Sequence, residues 1–449
     1  MKYLLAVTGL LLAPLAQAQS WTQLLGAAPG QSTSLAISQA LDNSADGTIH
    51  VQTLSTAGST VTGHLYALNR SGAPLTALTT SAMQPGNAST TAQAVSARNG
   101  YRVSWYDRDY SGGSVQSTFY SYFPGQAAHE RVTGVGGQAV FAASDGNGSA
   151  LVVYESPQSY QRPRMLLIGG PQFVLWSRMT GGCPINDFQP ARILAADFQP
   201  TPVPRLTVVA RCEDTPANGG GQIMVRSVDM TDGSTVNKRH SWPYADSDAP
   251  VIGARAIGQG RFVIEQADSA TGEHVARVVS IDGEEDRLAM PGDFRLQDVV
   301  RFPGGALIPT VDDVRKHIGA LVFDAQRNDW LELPELDDLA RTELAWGATA
   351  AGSMVVAYKQ VQADQRSLVR LRTMDNSGRV VGKRGIDTYP ARAPGRIELR
   401  GLADGSEALL LAADVEKADG SGAVYVEQFV PETDGTGEIE VPVIDIPRH

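Results

Sequence analysis

The 449-residue chain has two cysteines, seven histidines and, beyond its first fifteen residues, no long apolar run. Each shortage excludes something. Cys183 and Cys212 are too few for a disulfide-stapled miniature fold; in an exported chain two cysteines form one bridge, and that pairing is expected here. No histidine lies close to either cysteine in sequence, so neither reads as a zinc ligand. His50, His64, His129, His240, His274, His317 and His449 are dispersed and never take the spacing of metal ligands. There is no G-x-S-x-G elbow, no H-E-x-x-H helix and no P-loop lysine, which removes the usual sequence grounds for three large enzyme classes.

Positive charge is scarce as well. Lys and Arg number 37 against 48 Asp and Glu, a net charge of −11. Loss of the first eighteen residues would take Lys2 with them, leaving 36 basic against 48 acidic residues, or −12. That balance opposes nucleic-acid binding, where Lys and Arg must neutralise phosphates. It equally opposes a purely electrostatic grip on anionic lipid. Large net charge keeps an exported protein dispersed, and moderate apolar content with few charge runs argues for folding throughout.

What is present begins with an export signal. Lys2 supplies a minimal positive start, Leu4 to Leu15 an apolar core, and Ala16-Gln17-Ala18 the small residues that a signal peptidase reads. Residues 1–18 are therefore expected to be a cleaved signal peptide and 19–449 the mature chain, which starts at Gln19. The apolar core is shorter than the roughly 20 residues that span a bilayer, and no later segment reaches that length. No cysteine lies at the cleavage region, which argues against a lipoprotein. The expected address is the periplasm or the exterior of a bacterial cell.

The rest of the sequence is a repeat. Apolar runs start at Thr48 (TIHVQTL), Tyr101 (YRVSWYD), Ser149 (SALVVYE), Arg205 (RLTVVARC), Arg261 (RFVIEQ), Ala306 (ALIPTV), Ser353 (SMVVAYK) and Glu407 (EALLLAA). Successive starts are 53, 48, 56, 56, 45, 47 and 54 residues apart. A period near fifty marks a repeat architecture. A turn rich in Gly, Asn and Asp precedes each run, because those residues tolerate the positive φ of tight hairpins. Asp145 to Gly148, an acidic glycine-rich stretch, occupies that turn position in its own unit and reads as a hairpin, not as half of a calcium loop. A third extended segment follows each run (HLYALN, QIMVRSV, LVRLRTM, AVYVEQF), and a second short turn leads to a fourth.

The runs are apolar on consecutive residues, such as Leu151-Val152-Val153-Tyr154 and Leu409-Leu410-Leu411. A strand with one wet face alternates; unbroken apolarity means that both faces are covered. The third segments alternate, as in Val369-Arg370-Leu371-Arg372, and are expected nearer a half-exposed rim. Central strands covered on both sides are what radially stacked four-stranded sheets require. The expected fold is all-β, a β-propeller of four-stranded antiparallel blades forming one domain. Eight repeats are read; seven blades with an N-terminal extension is the alternative count. Trp21 to Leu25 is a candidate fourth strand for the last blade. Two β-sandwich domains of about 215 residues are the competing architecture, but their strands should alternate and no linker divides the chain.

In a propeller the loops between second and third strands share one end with the blade-to-blade connections. Here those loops are long and varied, and binding residues ride on loops held by a rigid scaffold. The aromatics near that end, Trp105, Tyr106, Tyr110, Tyr160 and Tyr244, are candidate ligand contacts. Asp107, Asp109 and Ser111 resemble the first half of a calcium loop, with oxygens at alternate positions before a glycine. The twelfth position is Thr118, so the bidentate glutamate is missing; a solvated hairpin is the competing reading, and no other cofactor is expected. Cys212 and Cys183 both fall at this end, where their bridge would pin Gly181 to Phe188 against its blade.

Sialidase-type propellers carry an S-x-D-x-G-x-x-W turn; Ser44 to His50 departs from it in spacing and lacks the tryptophan. The glycine and tryptophan signatures of quinone-dependent dehydrogenases and WD proteins are missing. The expectation is thus an exported, monomeric, non-catalytic protein that presents one loop-rich face to an envelope or extracellular protein or a glycan. The alternative is a glycoside hydrolase-like enzyme with paired carboxylates at the central pocket, for which Asp187, Asp246, Asp248, Asp312 and Asp313 are unranked candidates.

Overall fold

The computed structural model describes residues 20–26, 32–35, 41–43, 48–58, 60–79, 91–96, 102–110, 114–122, 129–136, 138–144, 149–155, 164–169, 173–179, 191–199, 205–212, 221–229, 235–244, 251–267, 274–290, 294–312, 317–324, 328–333, 344–361, 367–388, 396–402, 405–416 and 421–431. From 91 to 179 and from 235 to 244 the description is of the backbone alone. Among these residues the structure is all-β. No helix in it is long and apolar enough to cross a membrane.

The strands form eight antiparallel sheets, taken here as blades. β1 (Trp21–Gly26) stands apart from its sequence neighbours. The first blade joins β2 (Ser32–Leu35) and β3 (Leu41–Asn43), both paired with β4 (Ile49–Ala57), to β5 (Thr60–Leu68) and β6 (Pro74–Thr79). The second is β7 (Thr91–Ser96), β8 (Arg102–Tyr110), β9 (Ser114–Tyr122) and β10 (His129–Gly136). The third is β11 (Gln138–Ser144), β12 (Ser149–Glu155), β13 (Arg164–Gly169) and β14 (Phe173–Met179). The fourth is β15 (Ala191–Gln199), β16 (Arg205–Cys212), β17 (Gly221–Asp229) and β18 (Thr235–Tyr244).

The fifth blade is β19 (Val251–Gly258), β20 (Arg261–Ala267), β21 (His274–Ser280) and β22 (Gly283–Met290). The sixth again has a divided inner strand, β23 (Phe294–Leu296) and β24 (Val300–Phe302), followed by β25 (Gly305–Asp312), β26 (Ile318–Asp324) and β27 (Asn328–Glu332). The seventh is β28 (Leu344–Ala348), β29 (Met354–Val361), β30 (Ser367–Met374) and β31 (Val380–Thr388). The eighth is β32 (Ile397–Gly401), β33 (Leu409–Glu416) and β34 (Gly422–Phe429), and its fourth strand is β1.

All eight apolar runs are second strands, as their double-sided apolarity requires. Neighbouring residues of β29 show why. Val356 packs toward the sixth blade with Val311 and Val322, whereas Val355 and Ala357 pack toward the eighth with Leu409 and Leu411. Each such valine or leucine side chain contributes about 1.5–3 kcal/mol by leaving water. The turn expected at Asp145 to Gly148 lies outside the described residues; the flanking strands pair Ser144 with Ala150.

Successive blades touch in chain order, mostly through their inner strands. β3 meets β7, β7 meets β11, β11 meets β15, β15 meets β19, β19 meets β25, β24 meets β28, and β28 meets β32. β32 in turn meets β3. β1 runs antiparallel to β34 from Trp21 opposite Gln428 to Gly26 opposite Ala423, the position expected for a closing strand.

One expectation needs correction. The third strands are more covered than their alternation implied. Arg372 on β30 is buried, with its guanidinium over the Tyr358 ring, and β34 is buried from Ala423 to Phe429. The half-wet rim is the fourth strand, as in Gly283–Met290, where Glu285, Arg287 and Ala289 are exposed. Arginine stems lie along apolar surface, so an alternating Arg pattern does not mark an exposed strand.

Candidate functional site

The residues singled out from the sequence fall into two groups. Trp105, Tyr106, Asp107, Asp109 and Tyr110 lie on β8, whose ladder runs without interruption to Tyr110 opposite Ser114. Tyr244 ends β18 opposite Gly221, and Cys212 ends β16 between Ala191 and Gln222. The side chains of these seven are outside the described residues. Ser111, Tyr160, Cys183, Asp187, Asp246, Asp248 and Asp313 lie outside them altogether. Asp312 ends β25 and is buried, its amide bonded to the His317 carbonyl at 2.9 Å.

Of the buried charged side chains at the loop-rich end, only Asp312 was among those candidates. Near the ends of the apolar second strands sit Glu265, Asp312, Lys359 and Asp414, all buried or nearly so. A charge inside a strand covered on both faces is costly unless it is paired. That cost is the signal the sequence offered, a lone charge within RFVIEQ or SMVVAYK, and it points to a partner on the next blade.

Asp414 shows such partners. Its Oδ1 accepts the Leu35 amide at 2.6 Å and its Oδ2 the Arg396 amide at 2.7 Å. The buried Lys359, from the seventh blade, donates from Nζ to the Asp414 carbonyl at 3.0 Å. One residue therefore ties the seventh, eighth and first blades together. Burial pushes its carboxyl above the usual range, against the pull of both amides and of Lys359 and Arg396.

Glu265 repeats the arrangement between the fifth and sixth blades. Its Oε1 accepts the Leu296 amide at 3.4 Å. Leu35 and Leu296 are equivalent positions: each is the last residue before a divided inner strand is interrupted. At both interruptions the orphaned amide is thus taken by a second-strand carboxylate of the preceding blade. Arg255 completes the hold on the sixth blade, donating to the Gln297 carbonyl at 3.0 Å and to that of Leu296 at 3.4 Å.

The same carboxylate also faces a histidine. His274, the first residue of β21, is buried with Nδ1 3.5 Å from Glu265 Oε1. Arg295 Nη1 lies against the ring and contacts its Nε2. A guanidinium only donates, and the same Nη1 also lies 3.0 Å from Nδ1. Glu265 is pushed up chiefly by burial, opposed by the Leu296 amide and by the charges of Arg255 and Arg295. Glu265, His274 and Arg295 thus follow one another from the blade junction to an exposed residue. Among the described residues no three His, Cys, Asp or Glu side chains converge as metal ligands.

No protein-family model matches this chain, and no curated protein does. Solved structures with similarity include a Synechocystis apocarotenoid oxygenase variant, 9% identical over 54% of this chain and 57% of that one, with a TM-score of 0.34. A subtype N10 neuraminidase-like protein of A/little yellow-shouldered bat/Guatemala/060/2010 is 8% identical over 74% of this chain and 93% of that one, with a TM-score of 0.34. Prolyl oligopeptidase B from Galerina marginata is 9% identical over 76% of this chain and 46% of that one, with a TM-score of 0.41. The chain spans 57% of the length of the first of these. None of the three bears on what this chain does.

Proposed function

We propose that this is an exported, non-catalytic binding protein, a rigid platform whose loop-rich end recognises an envelope or extracellular protein or a glycan. One observation supports the reading. Three of the charged groups buried at that end serve the joints between blades: Asp414 holds the amides of Leu35 and Arg396, Lys359 the carbonyl of Asp414, and Glu265 the amide of Leu296. Groups committed to backbone partners fix the scaffold under the loops, and a fixed scaffold lowers the ordering cost that recognition must overcome.

The test compares the mature chain, residues 19–449, with a variant whose second-to-third-strand loops are replaced by Gly-Ser linkers of equal length. Both are applied to envelope extracts and to wall oligosaccharides. Binding that is lost with the loops and retained in a variant altered at the short turns supports the platform. Turnover of any oligosaccharide by the mature chain would replace this reading with a hydrolase.

A further inference from the structure

Among the described residues two large apolar side chains stand open to solvent, Leu75 at 50% and Val430 at 45%. Single exposed hydrophobics are ordinary, but these two share one place. Val430 follows β34, two residues after Gln428, whose Oε1 accepts the Trp21 indole at 3.2 Å. The same indole lies against Gly72, three residues before Leu75. Trp21, partly buried, thus stands between them where the last blade meets the first. Ala73 and Pro74, next to Leu75 in sequence, are exposed as well.

Leu75 is also out of pattern for its position. The ladder of β5 and β6 passes from Ala67 opposite Thr76 to Leu68 opposite Pro74, so Leu75 is the extra residue of a bulge. A bulge re-aims a side chain, and the same one recurs in the hairpins of the fifth and seventh blades. There the extra residues are Glu285, exposed and paired with Arg261, and Val381, which is buried. The position is charged in one blade and covered in the other. Leu75 is neither.

A cover is near at hand. Residues 432–449, which lie outside the described residues, continue from Pro431 beside Val430. They contain Ile439-Glu440-Val441-Pro442-Val443, apolar at alternate positions as a one-faced extended segment is. Ile439 is nine residues beyond Val430, a reach of up to about 30 Å. We propose that this segment turns back as a strap, seats Ile439, Val441 and Val443 on the patch of Trp21, Leu75 and Val430, and holds the closing strand β1 in place. β1 has little other hold: of its six residues only Leu25 is buried, whereas β34 beside it is buried from Ala423 to Phe429. A tether this short supplies an effective concentration on the order of millimolar, so contacts too weak to join two chains suffice within one. The strap goes beyond the binding reading above and leaves the loop-rich end open, because Val430 and the turn at Gly72 belong to the short-turn end.

Photo-crosslinking in the mature chain, residues 19–449, tests the strap. Benzoylphenylalanine in place of Leu75 should capture residues 439–446 of its own chain. The same probe in place of Ala289, an exposed residue of β22, should not. Mixing light and isotope-labelled chains separates capture within one chain from capture between two. Val441→Asp together with Val443→Asp should abolish the capture. The double variant should also speed hydrogen exchange of the β1 amides about tenfold or more, with β25 and β26 unchanged, since the burial of apolar side chains is lost there alone. Capture of a second copy would make the patch an interface between chains and overturn the strap. Capture of neither, equal capture from both positions, or unchanged β1 exchange in the double variant would overturn it as well.

Discussion

Asp197 on the inner strand of the fourth blade accepts Arg301 of the sixth at 2.7 Å, through Oδ1, while its Oδ2 takes the Gly260 amide of the fifth at 2.8 Å. One buried carboxylate thus joins three consecutive blades at the short-turn end. The turn it holds runs Gly258-Gln259-Gly260 with φ of 100°, 57° and 73°. Gln259 is the one non-glycine residue with positive φ among the described residues, a conformation that costs about 1 kcal/mol or more. The Asp197–Gly260 bond offsets part of that cost.

Asp197→Ala should therefore destabilise by about 1–3 kcal/mol, because it strands a buried amide and a guanidinium together. Arg301 is half exposed, so Arg301→Ala should cost under about 1 kcal/mol. Urea midpoints at unchanged slope would measure both. Equal losses would mean that the ion pair, and not the turn amide, is the larger contribution.

The seam between the last and first blades offers a second prediction. The indole of Trp21 donates to the Arg70 carbonyl at 3.0 Å and to Gln428 Oε1 at 3.2 Å, and lies flat over the turn that Asn69 caps. A methyl group on Gly72 would come within 2.4 Å of that ring, at a φ of 80°. Gly72→Ala should cost more than about 1 kcal/mol through φ alone. Hydrogen exchange of the β1 amides should accelerate while those of β25 and β26 stay protected. Uniform acceleration would show instead that the blades unfold as one unit.

Trp330 spans its blade in a comparable way. From the outer strand it reaches across Gly319, meets Thr310 Oγ1 at 3.3 Å and lies edge-on to Phe294 with centroids 5.3 Å apart. A Cβ at Gly319 would stand 2.6 Å from Thr310 Oγ1 and 2.9 Å from the indole nitrogen. Gly319→Ala should expel the ring, at about 1–3 kcal/mol for the overpacked site. Gly319→Ala combined with Trp330→Leu should recover part of the loss, and denaturation of the three variants would show whether it does.

These contacts also mark how far the sequence could be read. The second strands were legible because burial on two faces removes alternation, as in Leu409-Leu410-Leu411. The interruption after Leu296 was not, since FRLQDVVRF reads as one strand and only its amide partner, Glu265 on another blade, reveals the break. Arg295, His274 and Glu265 are up to thirty residues apart, so their meeting depends on how the fifth blade seats against the sixth. The aromatic candidates were drawn from the loop end, which period and pattern could locate; the charged chain there could be found only by asking why an acid stands inside RFVIEQ. Glycine chosen for an indole, as at positions 72 and 319, leaves no local trace.

Acidification should strengthen the fold before it weakens it. Glu265, Asp414 and Glu427 are all buried where blades meet, and in each burial raises the carboxyl above its ordinary value, outweighing amides, Arg384 and the other nearby cations. A raised folded value means that the folded chain keeps protons the unfolded chain has released. Where unfolded chains bind fewer protons than folded ones, stability falls as pH rises. The contribution of these groups is thus fully present below the ordinary carboxylate range and is lost as pH climbs through the raised folded values. Asp375 acts in the opposite sense: hydrogen bonds from Ser377 first, and then from the amides of Ser377 and Arg379 and the Arg379 charge, hold it low, so its contribution disappears as pH falls through its depressed value. The melting temperature of the mature chain should accordingly rise as pH drops from neutral into the window between the raised values and the ordinary carboxylate range, and fall in stronger acid. Glu265→Gln should flatten that rise, because an amide does not titrate. Scanning calorimetry in buffers of matched ionic strength decides the matter: a melting temperature that climbs steadily toward pH 8 would mean that the cations around these carboxylates outweigh their burial.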